Sequence, residues 1–187
     1  RTGRTTSRDF VTWTKAVEVF RGQLGFEIYT LEPWRLDSWR PGRYLAMGAF
    51  YCHNETSAIK PLPNCTLGSV YNELLATNDH GEHWSRLAPG RQWIPHGPPG
   101  SPDSSIIYAG RPLLNPANRS ETRIYYDGGR GPHSGPHRED TINLATCLTD
   151  AYAGLATAPA GSDRASNGTA LLHPPRWTVS AAVHPAA

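Results

Sequence analysis

Two stretches of this chain concentrate the side chains that could hold a polar ligand. Residues Ala88 to Ser105 contain Arg91, Trp93, His96 and Asp103, and Gly128 to Asp140 contain Arg130, His133, His137, Arg138, Glu139 and Asp140. Arginine and aspartate offer planar, bidentate partners for vicinal hydroxyls, histidine adds a donor or an acceptor, and an aromatic face covers the C–H side of a sugar ring. Carbohydrate is therefore the expected partner, with Trp93, His96, Tyr108, Arg111, Asp127, His133, His137 and Arg138 as expected contacts.

Cleavage of a glycosidic bond requires two carboxyl groups flanking it, roughly 5 to 9.5 Å apart according to the stereochemical course. Asp103 and Glu27 are the expected catalytic pair, each at the start of a strand-like run, and Asp127 is a third option. The plainer reading makes Asp103 a cap on the Ser104-Ser105 turn and Glu27 an exposed strand end. His133 and His137 could be read as a metal pair, but Ser134-Gly135-Pro136 between them rules out a helix that would align the rings. No metal and no cofactor are expected. A Gly-x-Ser-x-Gly elbow is absent, Cys147 has no histidine near it in sequence, and Gly128-Gly129-Arg130-Gly131 opens no helix that could cradle a phosphate.

Regularly spaced turns reveal the elements that must position these groups. Ser7-Arg8-Asp9-Phe10-Val11-Thr12-Trp13 and Thr77-Asn78-Asp79-His80-Gly81-Glu82-His83-Trp84 are versions of one turn, and Asp150 marks a third. Asp9 to Asp79 is 70 residues and Asp79 to Asp150 is 71, about the size of one four-stranded propeller blade. Strand-like runs recur between them: Phe26 to Leu36 matches Ile106 to Leu114, Tyr44 to Tyr51 matches Thr122 to Gly128, and Val70 to Thr77 matches Thr141 to Thr146. The predicted fold is all-β, a partial β-propeller of four-stranded antiparallel blades repeating about every 70 residues.

The predicted divisions are 1–25, an outer strand and linker; 26–87, a blade; 88–155, a second blade; and 156–187, a mostly irregular tail in which alternation resumes near Thr178-Val179. In an up-and-down blade alternate connections share a face. The segments Thr14 to Gly25, Cys52 to Ser69, Ala88 to Ser105 and Gly128 to Asp140 should then gather at one mouth, with the Asp79 turn on the opposite side. Tyr29 and Tyr108 occupy the same place in their repeats, 79 residues apart, and are expected to pack between blades. Trp34 and Trp39 are expected to be structural.

The turn Thr77-x-Asp79-x-Gly81-x-x-Trp84 resembles the Asp-box of sialidase-like and related glycosidase propellers. Further segments, Glu27-Ile28-Tyr29-Thr30, Asp103 to Gly110, Ile124-Tyr125-Tyr126-Asp127-Gly128-Gly129, Gly131 to Arg138 and Ile142 to Thr146, resemble five-bladed propeller proteins related to glycoside hydrolase families 32 and 43. The resemblance covers about residues 5 to 155 and implies a propeller fold. It implies activity only weakly, since such families include inactive relatives and the Trp-x-Asn-Asp-Pro, Arg-Asp-Pro and Glu-Cys segments of fructan-cleaving members are absent. A five-bladed ring needs roughly twice this length, so the chain is expected to be a fragment of about two blades, able to self-associate through unpaired blade edges. The rival expectation is a non-catalytic carbohydrate-binding or adhesive propeller, or a truncated product without activity of its own.

Composition bounds the remaining choices. Net charge is +2, and the only lysines are Lys15 and Lys60, with arginines scattered rather than gathered in a stripe, which argues against nucleic acid. No run approaches the roughly 18 apolar residues of a membrane span, and mean hydropathy is −0.50. Sequons at Asn54, Asn64, Asn118 and Asn167 take half of the eight asparagines, favouring a secreted or extracellular protein whose N-terminus at Arg1 is processed or incomplete. Cys52 and Cys65 bracket one loop and could close it as a disulfide, or all three thiols, Cys147 included, stay reduced.

Overall fold

A computed structural model describes residues 1–22, 26–35, 41–53, 66–136, 138–149, 152, 154–156, 171–173 and 178–183. The fold is all-β, with no helix among the described residues. β1 (Thr2–Arg4) and β2 (Val17–Phe20) form an N-terminal hairpin. β3 (Phe26–Trp34), β4 (Tyr44–Cys52), β5 (Val70–Thr77) and β6 (Ser85–Arg86) follow as a four-stranded antiparallel meander. A second set comprises β7 (Ile106–Ala109), β8 (Leu113–Asn115), β9 (Asn118–Arg130) and β10 (Glu139–Leu148). β11 (Gly154–Ala156) pairs with β12 (Leu171–His173), and β13 (Thr178–Val183) flanks β10.

β7 and β8 both pair with β9, which pairs with β10, so a single interrupted strand opens the second meander. The interruption falls at Gly110-Arg111-Pro112, where proline lacks the N–H a ladder needs. β13, from the tail, occupies the outer place for which the segment after Asp150 was expected. Asp150 itself lies outside the described residues. The two meanders meet where β5 and β7 pair in parallel through Val70 and Ile106, giving a nine-stranded sheet that does not close on itself.

β5 is enclosed on both faces: seven of its eight residues are buried, including the polar Asn72 and Glu73. Leu45, Met47 and Leu74 join Trp34, Trp93, Ile107 and Tyr126 in a core spanning both meanders, and Phe50, Tyr71 and Leu75 form a second with Ile28. Enclosed polar groups must be paired. Glu73 accepts Arg86 Nε and Nη2, both at 2.6 Å, and the Gly90 N–H at 2.7 Å. Asn72 takes the Ile94 N–H on Oδ1 and gives Nδ2 to the Ile94 carbonyl. These bonds fasten β6 and the connection behind it to the strand.

The Asp9 and Asp79 turns share their chemistry. Asp79 Oδ1 accepts Thr77 Oγ1 and the N–H groups of Glu82 and His83, and Asp9 Oδ1 accepts Ser7 Oγ and the N–H groups of Val11 and Thr12. Phe10 and His80, one residue after each aspartate, both adopt positive φ, 59° and 63°. The Thr12 and Val11 amides hold the Asp9 carboxyl down at about 2, and the Thr77 hydroxyl and His83 amide hold Asp79 well below the usual carboxylate range.

Removing one partner of a buried ion pair strands the other's charge. Arg86 and Glu73 side chains are 8% and 0% exposed, so Glu73→Ala is expected to cost about 3–5 kcal/mol of unfolding free energy. The double change Glu73→Met with Arg86→Met should cost less, as measured by denaturant melts of all three proteins.

Candidate functional site

Several connections do converge at one end of the sheet. Gly68 donates to the Cys52 carbonyl, His133 N–H to the Gly68 carbonyl at 2.7 Å, Val70 N–H to Ser105, and Ser105 N–H to Gly129. Gly68, the 87–105 connection and His133 therefore share the end at which β5 begins. The Asp79 turn follows the other end of β5 and is tied there to the β3–β4 turn through His80 N–H and the Gly42 carbonyl.

A β-bulge shapes the mouth. Ile28 pairs with Phe50 and Thr30 with Ala49, so Tyr29 is the extra residue in β3, and it is turned outward at 42% exposure. Its ring stacks on Tyr51 (5.2 Å between centroids, 26°) and on Tyr108 of the other meander (6.4 Å, 10°). The His133 imidazole stands over all three rings, at 5.3 Å from Tyr29, 5.3 Å from Tyr51 and 6.0 Å from Tyr108. His53 lies beside Tyr51, and its Nε2 is 3.8 Å from Glu27 Oε1.

Charge is organised around Arg138. Its Nε donates to Asp140 Oδ1 at 2.6 Å, Nη2 to Asp127 Oδ2 at 3.3 Å and Nη1 to His133 Nδ1 at 3.0 Å, and its guanidinium lies 6.0 Å from the Tyr108 ring centre. A guanidinium only donates, so His133 Nδ1 accepts and the imidazole is neutral, its proton on Nε2. Burial and the Arg138 charge both lower the His133 pKa. Burial and the neighbouring Asp140 raise that of Asp127 against the pull of Arg138. The Tyr108 phenol, 3.2 Å from His133 Nδ1, is pushed up to about 12 by burial.

Tyr108, Asp127, His133 and Arg138 are thus assembled in one cluster, with Glu27 at its edge through His53. Asp103 stands behind it, 7% exposed, with Oδ1 accepting Ser101 Oγ at 2.8 Å and Oδ2 accepting the Tyr126 hydroxyl at 2.7 Å. A Cβ at Gly97 or Gly128 would collide with it, so two glycines make room for this carboxylate. His96 braces the loop, Nε2 to the Val70 carbonyl at 2.9 Å and Nδ1 to Gln92 at 3.0 Å, and burial lowers its pKa. Trp93, 3% exposed, lies in the core and donates Nε1 to the Tyr152 carbonyl. Arg111 is exposed in the break between β7 and β8, away from the mouth.

His137, Cys65, Asn54, Asn64 and Asn167 lie outside the described residues. Asn118 is exposed at the start of β9, its Oδ1 accepting the Ser120 amide and hydroxyl. Cys52 is engaged in a disulfide, while Cys147 is a buried free thiol raised to about 11 by burial. No group of three or more metal-ligating side chains occurs among the described residues, and no helix long and apolar enough to cross a membrane occurs among them. Comparison of the chain with known protein families, characterised proteins and solved structures finds no match.

Tyr51 and His53, which were not singled out, complete the cluster with Asp140, which was named only among the polar side chains of its segment. Two signals bear on them: Tyr51 lies next to the last residue of β4 and His53 just past it, and Asp140 sits two residues from Arg138 on the strand pair that carries Asp127.

Because Arg138 holds down proton uptake at His133, Arg138→Gln is expected to raise the His133 pKa. Two-dimensional NMR titration of the His133 ring protons checks this, and an unchanged midpoint would mean that burial alone sets it.

Proposed function

We propose that the two meanders are neighbouring blades of a propeller and that the protein binds carbohydrate at the mouth they share. The observation carrying this reading is the partly exposed cluster of tyrosine and histidine rings, Tyr29, Tyr51, Tyr108 and His133, set beside Arg138 and its two aspartates. An aromatic face accepts the C–H side of a pyranose, and Asp127, Asp140 and the His133 Nε2 proton supply hydroxyl partners at its rim. Arg138 is already neutralised by two carboxylates, which favours a neutral sugar over an anionic one.

Binding is favoured over cleavage. Asp103 spends both oxygens on Ser101 and Tyr126, and Glu27 has a side chain 62% exposed and lies near His53. A hydrolytic reading draws on a different pair: Asp127, whose proton affinity is raised by burial and by Asp140, meets Asp140 across the Arg138 guanidinium. The four sequons and the Cys52 disulfide support an extracellular setting, and the edge of β3 supports self-association.

Titration with a panel of neutral oligosaccharides tests the proposal by calorimetry. A ligand is expected whose affinity falls at least about tenfold, about 1.4 kcal/mol, in Tyr108→Ala and in Asp140→Asn, while Arg111→Ala leaves it unchanged. Aryl glycoside turnover that vanishes in Asp127→Asn would establish cleavage; binding indifferent to both mouth variants would overturn the site.

A further inference from the structure

A cleft of about 390 Å³ lies between the N-terminal hairpin and the first meander, at the end of the sheet opposite the mouth. Its size falls within the range of small-molecule sites. Val19, Leu31 and the ring of Trp84 furnish apolar wall, and Arg4, Tyr44 and His80 furnish polar groups. Among the described residues no hydrogen bond or ion pair engages the Arg4 guanidinium, the Tyr44 hydroxyl or the His80 ring. Arg4 is half-buried, so its charge is only partly hydrated and has no carboxylate to answer it.

Glu18 on the hairpin and Asp79 in the adjoining turn are already committed. Glu18 pairs with Arg21 and Arg1, and Asp79 is consumed by its own turn and by His83. The first 22 residues hold Arg1, Arg4, Arg8, Lys15 and Arg21 against Asp9 and Glu18, so this hairpin concentrates positive charge in a chain of net +2 overall. His80 is held at a φ of 63°, a conformation that costs energy for a non-glycine residue and sets its ring against Gly42 at the cleft wall.

We propose that this cleft is a second ligand site, taking a small amphipathic carboxylate whose apolar body lies along Leu31 and Trp84 and whose anionic end pairs with Arg4. The occupant is anionic because an unanswered guanidinium forms its strongest hydrogen bonds with a carboxylate. It has an apolar body because Val19, Leu31 and Trp84 would otherwise be covered by water. The site is separate from the carbohydrate mouth and does not depend on that reading.

The test uses the full chain and naphthalene-2-carboxylate, with naphthalene-2-carboxamide as its neutral counterpart, followed by NMR at the Trp84 indole N–H. The carboxylate is expected to shift that resonance saturably and to bind about tenfold more tightly than the amide. In Arg4→Met the two should bind alike. No shift at millimolar carboxylate, equal binding of acid and amide by the unaltered protein, or an acid preference that survives Arg4→Met would each overturn the proposal.

Discussion

Two polar side chains in the middle of a buried strand decide where the rest of the chain can go. Asn72 and Glu73 sit on β5 with no exposure to water, and their side chains are satisfied by Arg86 on β6 and by Gly90 and Ile94 in the connection that follows it. A buried carboxylate without Arg86 and the Gly90 amide would cost several kcal/mol, a large fraction of the stability of an ordinary domain. The connection 87–105 is thereby laid against β5, and its continuation is delivered to the mouth, where Ser105 bridges Val70 and Gly129.

The functional proposal depends on that placement. β7 begins at the mouth because the connection ends there, so Tyr108 can face Tyr29 across the gap between the meanders. The bulge at Tyr29 turns an otherwise inter-strand ring toward the same space. Asp103, Ser101 and Tyr126 form a buried brace behind the cluster. Arg138 then links the β9 and β10 sides of the loop through Asp127 and Asp140, fixing the imidazole of His133 in one tautomer. Recognition and scaffold are built from adjacent layers of the same end of the sheet.

Much of this was legible in the residues. The Asp79 turn announces itself through Thr77, Asp79 and Gly81, and its counterpart at Asp9 makes the same bonds with Phe10 where a glycine stands in the longer copy. The all-β class and the order of β3, β4 and β5 followed from short aromatic and aliphatic runs separated by turns, while the outer strand beside β10 came from the tail instead of the segment after Asp150. Burial was harder to read. Trp93, His96 and Asp103 share a polar, proline-rich segment, yet they face inward because each finds a partner there: the Tyr152 carbonyl for Trp93, the Val70 carbonyl of β5 for His96, and the Ser101 and Tyr126 hydroxyls for Asp103. Asn72 and Glu73 carry no local sign of their enclosure, which depends on the distant Arg86 and Ile94. In the tail only the alternation resuming near Thr178-Val179 pointed to a strand, and nothing local revealed that this strand, β13, would pair with β10.

The separation of the mouth from the Asp79 turn by the length of β5 is open to direct measurement. Spin labels introduced as Glu82→Cys and Ser134→Cys, in a Cys147→Ser background, report their distance by pulsed electron resonance. At about 3.3 Å per residue the eight residues of β5 predict one population beyond about 20 Å. A distance below about 15 Å would place the two turns on the same side and contradict the arrangement.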